Sequence, residues 1–151
     1  SDKKGAVITF MDVTALHEAS RLQFVIDALA EHVAVLNSSG VITLVNQAWR
    51  RFAHENGDPS LAKSGPGVNY LNLGGDLHDT SEPTASIARR GVREVLEGNR
   101  VHFSLEYACH SPSQERWFVM HVTAMGGEQP GAVVSHVDIT SWRQSYPTLK
   151  S

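Results

Sequence analysis

This chain of 151 residues has a single cysteine and little net charge. The single cysteine, Cys109, rules out an internal disulfide and any zinc or iron–sulfur site built from several cysteines, and it favours a reducing, cytoplasmic location. The formal net charge is only −3, with no basic stripe, so nucleic acid is not expected as a partner. No apolar run approaches the roughly 18 residues that a membrane-spanning helix needs, so no membrane contact is expected either.

Known catalytic patterns are missing as well. No G-x-S-x-G motif or phosphate-binding glycine loop occurs, and the acidic residues are scattered rather than paired. The histidines form no H-x-x-x-H or similar ligand pair along the chain, so no metal site is predicted. We therefore expect a protein that is not an enzyme. The length and the hydrophobic content of 41% suit one small globular domain.

An internal repeat links the two ends of the chain. Residues 5–16 read GAVITFMDVTAL and residues 131–142 read GAVVSHVDITSW, with Gly, Ala, Val, Asp and Thr at matching positions. We interpret residues 1–14 as the terminal strand of an upstream copy of the domain. An unrelated strand of similar composition is the alternative.

The next stretch, residues 15–31, contains neither glycine nor proline and has apolar residues at alternating spacings of four and three. This pattern predicts a helix with an apolar seam, and Phe24 widens the apolar face beyond that seam. Two apolar faces suggest two partners, so we predict a homodimer through Leu22, Ile26 and Leu29. A helix that packs only on its own sheet is the alternative.

Alternating apolar residues and turn signals then predict five strands and a second long helix. The predicted strands are 32–37, 41–45, 100–110, 115–124 and 131–140, and the helix is 83–97. Asn46 is expected to cap a short helix after the second strand. This order predicts an α+β domain in which the helices pack on one face of an antiparallel sheet. The domain is expected to span residues 32–142, with residues 143–151 leading to a downstream effector domain of the same polypeptide.

A turn at residues 111–114 sets the register of the third and fourth predicted strands, with Tyr107 opposite Phe118. One face of this strand pair is far more apolar than the other, so it should lie against the helices. That inner face consists of Val101, Phe103, Leu105, Tyr107, Cys109, Arg116, Phe118, Met120, Val122 and Ala124. His102, His110 and His121 fall on the opposite face.

Three segments form a set: NSSGVITLVNQAW from Asn37, VLEG from Val95, and the terminal DIT that ends at Thr140. Together they resemble PAS domains, and the similarity covers residues 33–142. The resemblance implies a PAS fold in a histidine kinase, cyclase or chemotaxis protein, where it senses a small ligand and relays the signal through a dimer. In such modules the DIT end couples the sheet to the outgoing helix, so Asp138 and Thr140 are expected to carry the signal. A ligand-free dimerisation and relay module is the alternative.

The resemblance also limits the cofactor. Light-sensing flavin PAS domains carry a photoactive cysteine in G-x-N-C-R-F-L-Q, whereas residues 67–70 read GVNY here, so cysteinyl photochemistry is not expected. Haem PAS domains that take their iron ligand from the long helix are not matched, because no histidine occurs between Thr80 and Val101. His78 is a metal ligand only if haem is held from the turn before that helix. The choice among no cofactor, a small organic ligand, flavin and haem stays open.

His136 is the leading candidate for a ligand contact. It lies two residues before Asp138, where light-sensing PAS flavoproteins place a polar group against the cofactor, and the upstream repeat has Phe10 there. A buried histidine hydrogen-bonded to a neighbouring strand is the structural alternative. The other candidates for ligand or cofactor binding are Tyr107, Asn69, Phe118 and Met120.

Overall fold

Five antiparallel strands form one sheet in the computed structural model, which describes residues 20–72, 82–109, 113–128 and 130–145. In chain order the elements are α1 (residues 20–27), β1 (His32–Asn37), β2 (Ile42–Val45), α2 (Gln47–Glu55), a 3-10 turn (Tyr70–Asn72), α3 (Glu82–Leu96), β3 (His102–Ala108), β4 (Trp117–Met125), β5 (Gly131–Asp138) and α4 (Thr140–Ser145). The spatial order of the strands is β2-β1-β5-β4-β3. The predicted α+β class and five-stranded antiparallel sheet are confirmed.

Two predicted segments lie outside the residues that the structure describes. The upstream strand at residues 1–14 and the tail beyond residue 145 lie outside the described residues, so the division of the chain into domains stays a prediction. Within the described ranges, no helix is long and apolar enough to cross a bilayer.

The first hairpin owes its turn to one asparagine and one glycine. The Asn37 side chain accepts hydrogen bonds from the backbone N–H groups of Ser39 and Val41, at 2.9 and 3.0 Å. Gly40 adopts a φ of 88°, a left-handed conformation that glycine takes without steric cost. The turn sets β2 antiparallel to β1, as the sequence pattern predicted.

The predicted register of the third and fourth strands is confirmed. Tyr107 lies opposite Phe118, and Leu105 lies opposite Met120. The buried members of the predicted inner face are Tyr107, Cys109, Phe118, Met120 and Val122. The inclusion of Val101 was wrong, because this residue is 76% exposed and precedes the first residue of β3 at the end of the paired region.

The core lies between this inner face and the helices α2 and α3. Its largest fully buried side chains include Trp49 from α2, Val92 from α3 and Phe118 from β4. Burying a large apolar side chain stabilises a fold by about 1.5–3 kcal/mol. Helix α3 approaches β3 so closely that a Cβ atom on Gly91 would overlap the ring of Phe103.

Helix α1 ends at residue 27, so the prediction of a helix as far as residue 31 was wrong. The cause is Asn46, whose side-chain Nδ2 donates to the carbonyl oxygens of Ile26, Leu29 and Glu31 at 2.8, 3.4 and 2.8 Å. The last carbonyls of a helix lack partners within the helix. Here the buried amide of Asn46 binds one carbonyl of the last turn, that of Ile26, and two carbonyls in the segment that leads to β1.

Candidate functional site

His136 lies at the centre of a buried polar network that also contains Tyr107, Tyr70 and Met120. The Nδ1 atom of His136 is 2.6 Å from the Tyr107 hydroxyl, and its Nε2 atom is 3.0 Å from the Tyr70 hydroxyl. The Tyr70 hydroxyl donates to the Sδ atom of Met120 at 3.5 Å. None of these side chains is more than 8% exposed. The network therefore joins three strands and one loop inside the core.

The sheet positions three members of the buried polar network. His136 on β5 and Met120 on β4 are direct cross-strand partners. Tyr107 reaches His136 from β3, the strand beyond β4. Since successive side chains of a strand point to opposite faces, all three lie on the inner face, next to the helices.

Tyr70 comes from the loop and was missed as a site residue. Its backbone N–H donates to the Gly40 carbonyl at 2.8 Å, and an isolated bridge between Val41 and Asn69 holds the same loop beside β2. The signal was present in the sequence, because the GVNY segment places this tyrosine where flavin photosensors have their reactive cysteine. In this chain the Tyr70 side chain faces the interior and is 8% exposed.

Aromatic rings enclose the buried polar network. The Trp49 ring centre is 5.9 Å from that of His136 and 6.4 Å from that of Tyr70. On the other side, Tyr107 stacks on Phe118 with ring centres 5.7 Å apart and planes inclined by 18°. The polar atoms therefore lie in an apolar surrounding of low dielectric constant, which strengthens their hydrogen bonds.

Burial keeps the three ionisable members neutral. It lowers the pKa of His136 to about 3, and the nearby His32 contributes a smaller lowering. Burial also raises the pKa of Tyr70 and of Tyr107 above the usual tyrosine value. A neutral imidazole has one donor and one acceptor nitrogen. The neutral His136 ring therefore donates to one tyrosine hydroxyl and accepts from the other.

The predicted ligand-contact residues divide into two groups. The structure brings together His136, Tyr107, Phe118 and Met120. Asn69 is not part of this cluster, because its Oδ1 accepts from the Leu71 backbone at 2.9 Å and its Nδ2 donates to the Ser39 carbonyl at 3.2 Å. The Asn69 side chain shapes the loop that delivers Tyr70.

The DIT segment fastens the outgoing helix α4 to the sheet. Asp138 accepts from the Thr140 backbone at 2.9 Å, and the Thr140 hydroxyl accepts from the Trp117 backbone at 3.0 Å. The Ile139 backbone donates to the Trp117 carbonyl at 2.8 Å. The Arg143 guanidinium then lies 3.6 Å from the centre of the Trp117 ring. Both predicted relay residues, Asp138 and Thr140, thus lie where β5 passes into α4.

Asn46 fastens the incoming helix α1 in a similar way. Its Nδ2 binds the Ile26 carbonyl in the last turn of α1 and two carbonyls just beyond that helix. Its Oδ1 accepts from the backbones of Val33 and Trp49 at 3.0 and 2.9 Å. The bond to Trp49 confirms the predicted cap of α2. Asp27 adds a second link, because its carboxylate accepts from the Gln47 backbone at 2.7 Å. Sequence reasoning found only the cap, since the partners of Asn46 in α1 and β1 are distant in the chain.

The three residues of the predicted dimer seam differ in how exposed they are. Leu22 and Leu29 are 44% and 42% exposed, whereas Ile26 is 7% exposed and packs in its own domain. Phe24 and Val25, which widen the apolar face, are 79% and 58% exposed. The homodimer stays a prediction, with Leu22 and Leu29 rather than Ile26 available for a second subunit.

His78, the haem ligand considered above, lies outside the described residues. In the parts of the chain that the structure describes, no group of three or more His, Cys, Asp or Glu side chains is arranged to hold a metal ion.

Comparison with known proteins gives a consistent result. Residues 26–144 match the sequence profile of a family described as PAS fold. A protein of Rhodobacter capsulatus, named as an uncharacterized 104.1 kDa protein in the hypE 3′ region, is 50% identical over 145 residues. The match covers 94% of this chain and 15% of that protein, so the chain spans about one seventh of its curated relative.

Solved structures agree on the fold. The PAS domain of Bordetella pertussis BvgS has a TM-score of 0.55 at 16% identity, covering 89% of this chain and 97% of that one. A PAS domain from a two-component sensor histidine kinase has a TM-score of 0.51 at 17% identity, covering 82% of this chain and 98% of that one. The match over residues 26–144 shows the family, and the sheet order and the helices on its inner face agree with it. The chain belongs to the PAS domain family.

Proposed function

We propose that this PAS domain is a sensory module that relays a signal between its incoming and outgoing helices within a larger signal-transduction protein. One observation carries the proposal. Strand β1, which follows α1, pairs with β5, which leads into α4, and His32 at the start of β1 lies opposite His136. The two helices therefore join the sheet at the same end, next to the buried polar network.

The incoming side of the proposed relay begins at the end of α1. Asn46 binds three carbonyls of this region and also the backbone N–H groups of Val33 in β1 and Trp49 in α2. A shift of α1 would therefore have to break these bonds or move β1 with it. Because buried polar groups are costly to leave without partners, the second outcome is favoured.

The outgoing side is short and stiff. Asp138 lies two positions after His136, and Thr140 bonds directly to β4 through the Trp117 backbone. A rearrangement of the buried polar network that displaces β5 would strain this bond and change how α4 leaves the sheet. Such a relay requires an element with two arrangements whose balance a signal can shift. We assign that role to β5 together with the DIT segment.

The wider setting belongs to the same proposal. The likeness to PAS domains of sensor kinases and the much greater length of the Rhodobacter relative support a parent protein of the kinase, cyclase or chemotaxis type. Dimerisation through α1, a cytoplasmic location and action without catalysis are parts of this proposal.

Hydrogen exchange at α4 tests the relay. Tyr107→Phe removes one hydroxyl from the buried polar network, and we expect faster amide exchange across residues 140–145. Val95→Ala is the matched control, because it destabilises the core from α3 without touching the network. Equal exchange at α4 in two variants of equal global stability would contradict the relay.

Ligand sensing at the same network is the second candidate function. Its neutral polar atoms lie among aromatic rings in the core, so the ligand would be an uncharged molecule with hydrogen-bonding groups. Such a molecule would take over hydrogen bonds that His136 now makes to the tyrosines.

Native mass spectrometry and an absorption spectrum of the purified protein test ligand sensing. A bound molecule should be retained by the wild type and by His54→Phe, an exposed control, and lost from His136→Phe. Equal retention by folded His136→Phe would remove His136 from the site. The absence of any bound molecule from the wild type would favour the ligand-free relay.

A further inference from the structure

Two histidines meet on the outer face of the sheet, opposite the face that packs against α2 and α3. His102 on β3 and His121 on β4 approach with Nε2 of His102 3.2 Å from Nδ1 of His121, and their ring centres are 5.4 Å apart. They are 19 residues apart in the sequence, and the register of the two strands makes them diagonal neighbours. His102 is exposed and His121 is half-buried, so solvent reaches the pair.

The distance between the two nitrogens matches that of two ligands of one metal ion. Imidazole nitrogens bind zinc at about 2.0–2.1 Å, so two of them at a tetrahedral angle are about 3.4 Å apart. At a right angle they are about 2.9 Å apart with the same bond lengths. The observed 3.2 Å lies between these values. The two nitrogens now share a hydrogen bond, which a metal ion would replace once both rings rotate to aim their lone pairs at it.

The residues around the two histidines would not repel a cation. The residues directly across the sheet from the two histidines are Thr123, Ser104 and Ser135, which are uncharged and carry hydroxyl groups. Arg100, the nearest cation along β3, turns away to pair with Glu94 at 3.2 Å. The open coordination positions would be filled by water, and the nearby hydroxyls can hold that water in place.

We propose that His102 and His121 form a binding site for one divalent late-transition-metal ion, Zn²⁺ or Cu²⁺. Neutral imidazole nitrogens suit both ions, and Cu²⁺ binds the tighter of the two to a given set of ligands. The bound ion would tie the edge strand β3 to β4 on the face opposite the buried polar network. This metal site is separate from the proposed relay, and the evidence for it does not depend on the relay.

Calorimetric titration of the full, untagged chain with zinc chloride and with copper chloride tests this site. We expect one ion to bind, with His102→Ala and His121→Ala each weakening the affinity more than tenfold. His54→Ala is the matched control, because it removes an exposed histidine from α2, and its affinity should equal that of the wild type. The metal should also raise the melting temperature of the wild type and of His54→Ala but not of the other two variants.

Four results would overturn the proposal. These are a wild type that binds neither ion, unchanged affinity in either His102→Ala or His121→Ala, an equal loss in His54→Ala, and an equal rise in melting temperature in all four proteins. Since the proposed ligands lie on the outer surface, the variants should fold, and circular dichroism at 25 °C checks this.

Discussion

Acidification should destabilise this domain through His136. Burial lowers the folded-state pKa of His136 to about 3, whereas an unfolded chain leaves the ring near 6.5. The unfolded state therefore binds more protons between these values. The stabilisation from the neutral ring is complete above pH 6.5 and is lost progressively as the pH falls toward 3. From pH 8 to pH 5 the free energy of unfolding should fall by about 2 kcal/mol from this residue alone.

Urea denaturation at pH 8, 7, 6 and 5, followed by tryptophan fluorescence, measures this loss. His136→Gln is the comparison, because its amide can donate to one tyrosine and accept from the other but does not titrate. His32, whose pKa is also lowered by burial, is present in both proteins and cancels in the difference. The stability difference between wild type and His136→Gln should shrink by about 2 kcal/mol between pH 8 and pH 5. Parallel pH curves would refute the claim that His136 is buried and neutral.

Three further changes probe the framework around the network. Asn46→Ala should lower the free energy of unfolding, measured in urea, by about 3 kcal/mol or more, because it leaves buried backbone groups of α1, β1 and α2 without partners. A loss below about 1 kcal/mol would contradict the role of Asn46 in joining these elements. Gly91→Ala should lower the free energy of unfolding by about 1–3 kcal/mol in the same assay, because its Cβ would overlap Phe103, although alanine has the better helix propensity. A stabilised variant would contradict the close approach of α3 to β3. Leu22→Glu combined with Val25→Glu should give a monomer in sedimentation velocity, because both side chains expose apolar surface on α1; an unchanged dimer mass would move the interface elsewhere.

The sheet could be predicted because local patterns determine it. Apolar alternation and a turn at residues 111–114 placed Tyr107 opposite Phe118, and a slip of one residue would have turned every side chain to the other face. The same register put His102 and His121 on one face, but spacing along the chain gave no sign that they touch. Side-chain rotation, which the binary pattern does not encode, brings them together.

The end of α1 and the role of Tyr70 needed the three-dimensional structure. The helical pattern continues past residue 27, and only the side chain of Asn46, distant in sequence, explains why the helix ends there. Tyr70 lies in a loop that has no periodicity, so its inward orientation depends on backbone bonds to Gly40 and the bridge at Val41. His136 was singled out because it lies two residues before Asp138, where the resemblance to light-sensing PAS flavoproteins places a polar group, and the upstream repeat has Phe10 there, so the fold itself does not require a polar residue.

A double-mutant cycle between the two helix anchors tests the proposed relay most directly. Asp27→Ala loosens α1 from α2, and Thr140→Val removes the hydroxyl that holds α4 to β4 without changing the side-chain shape. Sites without shared partners usually give additive losses within about 0.3–0.5 kcal/mol. The relay predicts that the free energies of unfolding depart from additivity by more than about 0.5 kcal/mol. Additive losses within the error of the measurement would contradict coupling between the incoming and outgoing helices.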